Sequence, residues 1–270
     1  MNFLKKIFSK DEKIEIIFIG GATRSGKSSL SKNLLKILNL QSDCLINCDR
    51  YFDIEKIKDN YIENILSLIK SDDFSNYLNL NGTENDKQEI NNYKKKVLEY
   101  SSFNIPKFLK NYMEKYKPLL LHSNWELDEV VDWVELEDDI IQTILKIKKN
   151  NGKYLIVEGF RLLQERYPFK KIFPDKIIFL CIGKELAKKR RETTKPMPPG
   201  QFDGYAWPEY IKAHKYLINL FENGNNKNIL VLDAESDKNS LLEKSKDYIL
   251  NKDFKLNNDE SLKIIKKNLR

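Results

Sequence analysis

Short apolar runs and amphipathic stretches alternate along most of this chain. Ile14–Ile19 (IEIIFI) is an Ile-rich run closed by Gly20-Gly21, which predicts a buried strand entering a turn. Leu30, Leu34 and Leu38 then recur at i, i+4 and i+8, one face of a helix over Lys27–Leu38. Asp43–Asn47 predicts a second short strand, ending near Asp49. Lys153–Val157 (KYLIV), Lys176–Ile182 (KIIFLCI) and Asn228–Leu232 predict three more. Helices are expected at Glu129–Lys149, Lys184–Thr193, Glu209–Asn223 and Asn239–Leu250. Apolar strands alternating with helices predict an α/β fold, a parallel sheet covered on both faces.

The pattern breaks between Ile54 and Pro118, a stretch rich in Asn, Lys and Tyr. Helical periodicity is patchy there (Tyr61, Ile65, Leu68, Ile69; then Tyr93, Val97, Tyr100), and Asn79–Asp86 reads as a turn. Aromatics are too frequent for a linker. The expected organisation is one domain over 14–250, interrupted by a mostly helical insertion at 54–120, with 251–270 as a basic C-terminal tail or terminal helix.

Composition narrows the class. The 270 residues are 41% hydrophobic and 32% charged, which argues against a disordered or membrane-embedded chain. The start, MNFLKKIFSKDEK, lacks the apolar core of a secretory signal, and Cys44, Cys48 and Cys181 make no disulfide framework. A soluble, cytoplasmic protein is expected. The net charge of +7 raises the question of a nucleic-acid partner. However, only 7 of the 47 basic residues are Arg, Asn reaches 27, and the Lys residues are mixed with acids, so no nucleic-acid partner is expected. Four of the seven Arg (Arg24, Arg50, Arg190, Arg191) fall at or beside the motifs that follow.

Gly21-Ala-Thr-Arg-Ser-Gly-Lys-Ser28 fits G-x4-G-K-[ST] without departure, after a strand and before a helix as that motif requires. Backbone N–H groups of such a loop cradle phosphate oxygens, and the helix dipole adds to them. Gly21, Thr23, Arg24, Ser25, Gly26, Lys27, Ser28 and Ser29 are therefore the candidate ATP-binding residues. Lys27 is expected on the β- and γ-phosphates and the Ser28 hydroxyl on Mg²⁺. No D-x-x-G and no N-K-x-D occurs, which argues against a GTPase switch. A kinase also needs a base for its acceptor hydroxyl. Asp49 is placed for that role, although a turn or cap aspartate fits the same spacing. Glu158 closes an apolar strand at the ligand edge of a parallel sheet, where it can serve Mg²⁺ or its waters or be a plain surface acid. Trp125 can stack on a planar base and Glu126 can take two ribose hydroxyls, while a Trp before a helix also serves core packing. Arg190 and Arg191 can clamp phosphates or line a solvated helix face.

Taken together and in order, these segments resemble the nicotinamide riboside kinases, with the uridine kinases as wider relatives. The resemblance is carried by GATRSGKSSL, Asp49 with Tyr51-Phe52, NWELDEVVDW (Asn124–Trp133), YLIVEGF (Tyr154–Phe160), KKRRETT (Lys188–Thr194), PPGQFDGYAWPEY (Pro198–Tyr210) and VLDA (Val231–Ala234). F-D-G-x-x-W-P-x-Y (Phe202–Tyr210) is the most specific of them. It covers roughly residues 14–53 and 121–250. It implies a phosphate-loop kinase with a five-stranded parallel sheet and a small lid, using ATP and Mg²⁺ on a small-molecule nucleoside. It also implies Asp49 facing the 5′-hydroxyl, Glu126 on the ribose hydroxyls, Trp125 beside the nicotinamide ring, Glu158 near Mg²⁺, and Arg190 and Arg191 closing over the phosphates. The family usually has Asp where this chain has Glu126, and often a further Arg where Thr194-Lys195 stands, so Lys195 is the candidate replacement charge. The family's segment between Phe52 and Asn124 is far shorter. A uridine- or cytidine-type kinase, another small-metabolite kinase and a nucleotide-binding regulatory protein without transfer activity are the competing readings.

Overall fold

The computed structural model describes residues 13–98, 105–117, 120, 124–165, 168–194, 197 and 200–269. The described chain divides into two compact units. One comprises Met1–Phe52, Val131–Pro196 and Ala206–Arg270, and the other Asp53–Val130 and Met197–Tyr205.

The first unit is an α/β layer structure of the phosphate-loop type. Its strands are β1 (Glu15–Gly21), β2 (Leu45–Asn47), β3 (Tyr154–Glu158), β4 (Lys176–Cys181) and β5 (Ile229–Asp233). They pair in the order β2-β3-β1-β4-β5, and every pair is parallel. The central strands read as nearly unbroken apolar runs because both faces are covered. Ile17, Phe18, Ile19, Leu155, Ile156, Val157, Ile178 and Phe179 are all fully buried. The covering helices are α1 (Lys27–Ile37), α6 (Trp133–Lys149), α7 (Lys184–Thr194), α8 (Trp207–Glu222), α9 (Lys238–Leu250) and α10 (Asn258–Lys267).

Several boundaries move from the sequence expectation for local reasons. Helix α6 starts at Trp133 rather than Glu129, because the Asp132 side chain accepts the Val134 and Glu135 N–H groups. The preceding Asp128–Val130 is a separate 3₁₀ turn. Helix α8 begins at Trp207, ahead of Pro208, since proline is tolerated in a first turn whose N–H groups have no intrahelical acceptor. Asp237 caps α9 by accepting from Asn239 and Ser240. At the carboxyl end of the chain α10 is a helix, packed on β5 and α8 with Ile265 buried.

The second unit contains α2 (Ile54–Lys70), α3 (Asp72–Asn81), α4 (Glu84–Leu98) and α5 (Lys107–Tyr116). It has its own apolar core, in which Ile65, Phe74, Ile90, Leu109 and Met113 are almost wholly buried. Phe74 meets the Tyr112 ring edge-on at 5.0 Å. Of the periodic positions Tyr93, Val97 and Tyr100, Tyr93 joins this core, whereas the Val97 side chain and Tyr100 lie outside the described residues. Among the described residues, no helix is long and apolar enough to cross a membrane.

One core group sets a pH limit. His214 on α8 is fully buried, edge-on to Tyr210 (4.0 Å) and Phe179 (5.7 Å). Burial lowers its pKa from 6.5 to about 4. Between those values the unfolded chain binds a proton that the folded chain refuses, so acid favours unfolding. Stability is therefore expected to fall by up to about 3 kcal/mol as the pH drops from 6.5 to 4. Thermal melts across that range should show the slope, and His214→Leu should flatten it.

Candidate active site

Strand register assembles the first group of candidate residues. Glu158 lies opposite Ile19 of β1 on one side and Asn47 of β2 on the other. Two residues beyond Ile19 the phosphate loop begins at Gly21, and two residues beyond Asn47 stands Asp49. All of these lie at the carboxyl ends of parallel strands, where α/β sheets bind ligands.

The loop itself is held in left-handed backbone conformations. Gly21, Arg24 and Gly26 have φ of 136°, 62° and 102°. A side chain at Gly21 would also place Cβ 2.4 Å from the Leu180 carbonyl oxygen of β4, so this close approach admits only glycine. Helix α1 opens from Gly26 with no side-chain cap and no acid in its first turn, leaving its dipole and N–H groups to an anion. Lys27 Nζ donates to the Ala22 carbonyl at 2.8 Å. Ser29 N–H donates to Gly26 at 3.1 Å, which starts the helix ladder. Ser25 is buried, and its Oγ has no hydrogen-bond partner among the described residues. A buried hydroxyl inside a ring of left-handed backbone fits a phosphate group.

The carboxylates stand beside this loop. Ser28 Oγ donates to Glu158 Oε2 at 3.0 Å. Burial raises the Glu158 pKa above the ordinary carboxylate range, and the nearby charge of Asp49 adds to the rise. The Ser28 hydroxyl and Lys27 oppose it. This hydroxyl–carboxylate pair is a fitting donor set for Mg²⁺ or its waters. Asp49 sits in the 3₁₀ turn Cys48–Tyr51, and the capping group of that turn is Asn47, which accepts the Asp49 N–H at 2.7 Å. The Asp49 carboxylate is exposed and is not the cap.

Both arginines of α7 reach the loop. Arg190 donates to the Arg24 carbonyl at 3.3 Å and to the Ala234 carbonyl, beyond β5, at 3.1 Å. Arg191 Nη1 donates to Thr23 Oγ1 at 3.5 Å. Arg190 therefore braces the loop, which the charge pattern alone did not reveal. Trp125 and Glu126 belong to the second unit and lie on a turn in which Asn124 Oδ1 accepts the Glu126 N–H at 3.0 Å. Lys195 lies outside the described residues.

Two further residues escaped the sequence reading. A Cβ at Gly159 would lie 2.7 Å from both Cβ and Sγ of buried Cys48, so this contact sets the spacing of the adjacent Glu158 and Asp49. The signal available was the glycine directly after the strand-end carboxylate. In the F-D-G-x-x-W-P-x-Y segment, Tyr210 is a structural residue. Its buried hydroxyl accepts the Ile182 N–H at 3.0 Å.

Over 208 residues the chain is 29% identical to human (Homo sapiens) nicotinamide riboside kinase 1, covering 76% of this chain and 79% of that protein. The similarity extends over three quarters of the chain and is to nicotinamide riboside kinases. The Rattus norvegicus enzyme of that name is 27% identical over 207 residues, covering 76% of this chain and 80% of its own length. The Mus musculus one is 38% identical over 69 residues, covering 24% and 34%. No family model matches the chain. An unliganded sugar kinase from a Janibacter species covers 88% of this chain and 95% of its own at 12% identity, with a TM-score of 0.41, too loose a likeness to argue from.

Two variants test the geometry of this edge. An ionised Glu158 costs the folded state at high pH, because its folded pKa is raised. Glu158→Gln is expected to raise the melting temperature at pH 8, and the gain should shrink as the pH falls into the range where wild-type Glu158 takes up its proton. Gly159→Ala should destabilise by about 1–3 kcal/mol through overpacking, read from denaturant titrations.

Proposed function

We propose that this protein is an ATP- and Mg²⁺-dependent kinase that transfers the γ-phosphoryl group to the 5′-hydroxyl of a ribonucleoside, nicotinamide riboside foremost. The observation that carries the reading is the Ser28–Glu158 pair at 3.0 Å beside Asp49 and Lys27, at the mouth of the phosphate loop. The names of the curated relatives supply the acceptor.

In this reading the loop amides and Ser25 hold the phosphates, and Lys27 leaves the Ala22 carbonyl to reach the β- and γ-oxygens. Ser28 and Glu158 would hold Mg²⁺, which would supply positive charge to offset that of the phosphates. Glu126 holds the ribose hydroxyls and Trp125 stacks on the base. Asp49 accepts the proton of the 5′-hydroxyl as its oxygen bonds to phosphorus and the bond to the ADP oxygen breaks. Arg191 offsets the charge spread over the transferring group, while Arg190 keeps the loop in register. Positioning and electrostatics provide most of the rate. Glu126, one methylene longer than the family's usual Asp, favours a second reading in which the sugar or the acceptor differs.

Purified protein with Mg-ATP and a panel of nicotinamide riboside, nicotinic acid riboside, uridine, cytidine and adenosine, read by mass, separates these readings. Mononucleotide from nicotinamide riboside is expected, and Lys27→Ala should abolish it with the fold intact. Asp49→Asn should lower kcat by about 10²–10⁴-fold with little change in KM. A pure KM effect would make Asp49 a binding residue instead. Bound ATP with no product from any acceptor would favour the regulatory reading.

A further inference from the structure

The C-terminal helix α10 has no part in the chemistry assigned so far, yet its end meets the carboxyl edge of the sheet. The helix packs on β5 and α8, with Ile265 buried. Its last residue, Lys267, donates to two carboxylates, Asp233 Oδ2 at 2.8 Å and Glu235 Oε2 at 3.1 Å. Those acids flank Ala234, whose carbonyl accepts from Arg190 at 3.1 Å. The other Arg190 bond, at 3.3 Å, goes to the Arg24 carbonyl of the phosphate loop. Lys267, both acids, Ala234, Arg190 and Arg24 all belong to the first unit.

The charges in this chain of contacts compete. A guanidinium forms a stronger and often bidentate bond with a carboxylate than with a neutral carbonyl. Arg190 nevertheless directs its donors to two carbonyls and, among the described residues, forms no ion pair. The carboxylates on either side of its Ala234 acceptor are taken by Lys267 instead. Glu235 also lies close to the helix that carries Arg190. A side chain at Gly183, the residue before α7, would place its Cβ 3.1 Å from Glu235 Oε1. The Asp233 carboxylate is held by its neighbour as well, since Oδ1 accepts the Glu235 N–H at 3.0 Å. Both acids raise the Lys267 pKa above its ordinary value, so the ammonium stays charged across the neutral range.

We propose that Lys267 is a positioning residue for the phosphate loop: by occupying Asp233 and Glu235 it keeps Arg190 on the Ala234 and Arg24 carbonyls, and so keeps the loop shaped for Mg-ATP. The inference rests on the nucleotide half of the reading above and is independent of the acceptor. Without Lys267 the freed carboxylates become the stronger partners for the guanidinium. A move of Arg190 toward either of them leaves Arg24, held at a φ of 62°, without its brace. Once both acids are amides the competition is gone, and Lys267 becomes dispensable.

The test is a charge cycle with two readouts. Amide hydrogen exchange over residues 22–28 is followed in nucleotide-free protein, and Mg-ATP is titrated calorimetrically with no acceptor present. Lys267→Met removes the ammonium and keeps an aliphatic stem, and it should leave the melting curve close to wild type because exposed pairs contribute little to stability. It is expected to speed exchange in the loop by at least about threefold and to weaken Mg-ATP binding by about five- to tenfold. Lys267→Arg, which keeps the charge, should hold both readouts near wild type. Lys267→Met combined with Asp233→Asn and Glu235→Gln should return both to within about twofold of the Asp233→Asn/Glu235→Gln pair alone. A Lys267 that only supported the fold would leave the triple variant at least as impaired as Lys267→Met. Loop exchange unchanged in Lys267→Met, or a loss that neutralising the acids does not reverse, would overturn the proposal. A wild type that binds no Mg-ATP, with loop exchange still following the cycle, would refute the ATP reading and leave the brace standing. Mg-ATP bound equally by wild type and every variant, with loop exchange unaffected, would do the reverse.

Discussion

The separation of β2 from β3 at their carboxyl ends governs the working edge of this protein. Gly159 packs against Cys48 so closely that a methyl group would sit 2.7 Å from its sulfur. Each of those residues directly adjoins a carboxylate, Glu158 on one strand and Asp49 beyond the other. The contact therefore fixes how far apart two acids stand in a partly desolvated space, where their repulsion helps to raise the Glu158 pKa. A second glycine works the same way on the other side of β1, where Gly21 lies against the Leu180 carbonyl and leaves the phosphate loop one path out of the sheet. The positions of the chemical groups follow from these two backbone approaches.

The cations are arranged to keep that edge in shape. Arg190 ties the Arg24 carbonyl of the loop to the Ala234 carbonyl beyond β5. The residues on either side of Ala234, Asp233 and Glu235, are both held by Lys267 of α10, at 2.8 and 3.1 Å. A line of polar contacts thus runs from the C-terminal helix to the phosphate loop. Each exposed ion pair contributes about 1 kcal/mol or less. Their joint effect is orientation rather than stability.

Much of the first unit was legible because its signals are local. G-x4-G-K-S specifies a backbone path as well as a set of side chains, and five apolar runs punctuated by helical periodicity specify a parallel sheet. Where the reading missed, two local signals competed or the determinant was remote. Glu129 and Asp132 both resemble helix starts, and it is the Asp132 side chain that accepts the Val134 and Glu135 N–H groups. Pro208 suggested a boundary, yet it lies inside the first turn of α8. The Gly159–Cys48 approach joins residues more than a hundred positions apart and leaves no periodic trace. For Arg190 the sequence shows the charge but not the Arg24 and Ala234 carbonyls that it joins. A pocket in the second unit is lined by Ser67 of α2, Asp73 of α3, Tyr116 of α5 and Tyr205, so no single window of sequence contains it.

The second unit is not one continuous insert. It takes Asp53–Val130 from one part of the chain and Met197–Tyr205 from another, so the polypeptide passes between the units four times. The first pair of passages is stitched together, with Phe52 bridged to Val131 and the Asp53 N–H bonded to the Val130 carbonyl at 2.7 Å. That stitch makes the long segment removable in topology, since its ends already meet. The short segment breaks the modularity. Tyr205 helps to wall the same pocket as α2, and it stands one residue before the chain re-enters the unit that holds the phosphate loop. A lineage that gained or lost the helical segment alone would have had to remodel 197–205 in step. The shape of that pocket is therefore expected to change by paired replacement of two distant stretches, rather than by drift in either one.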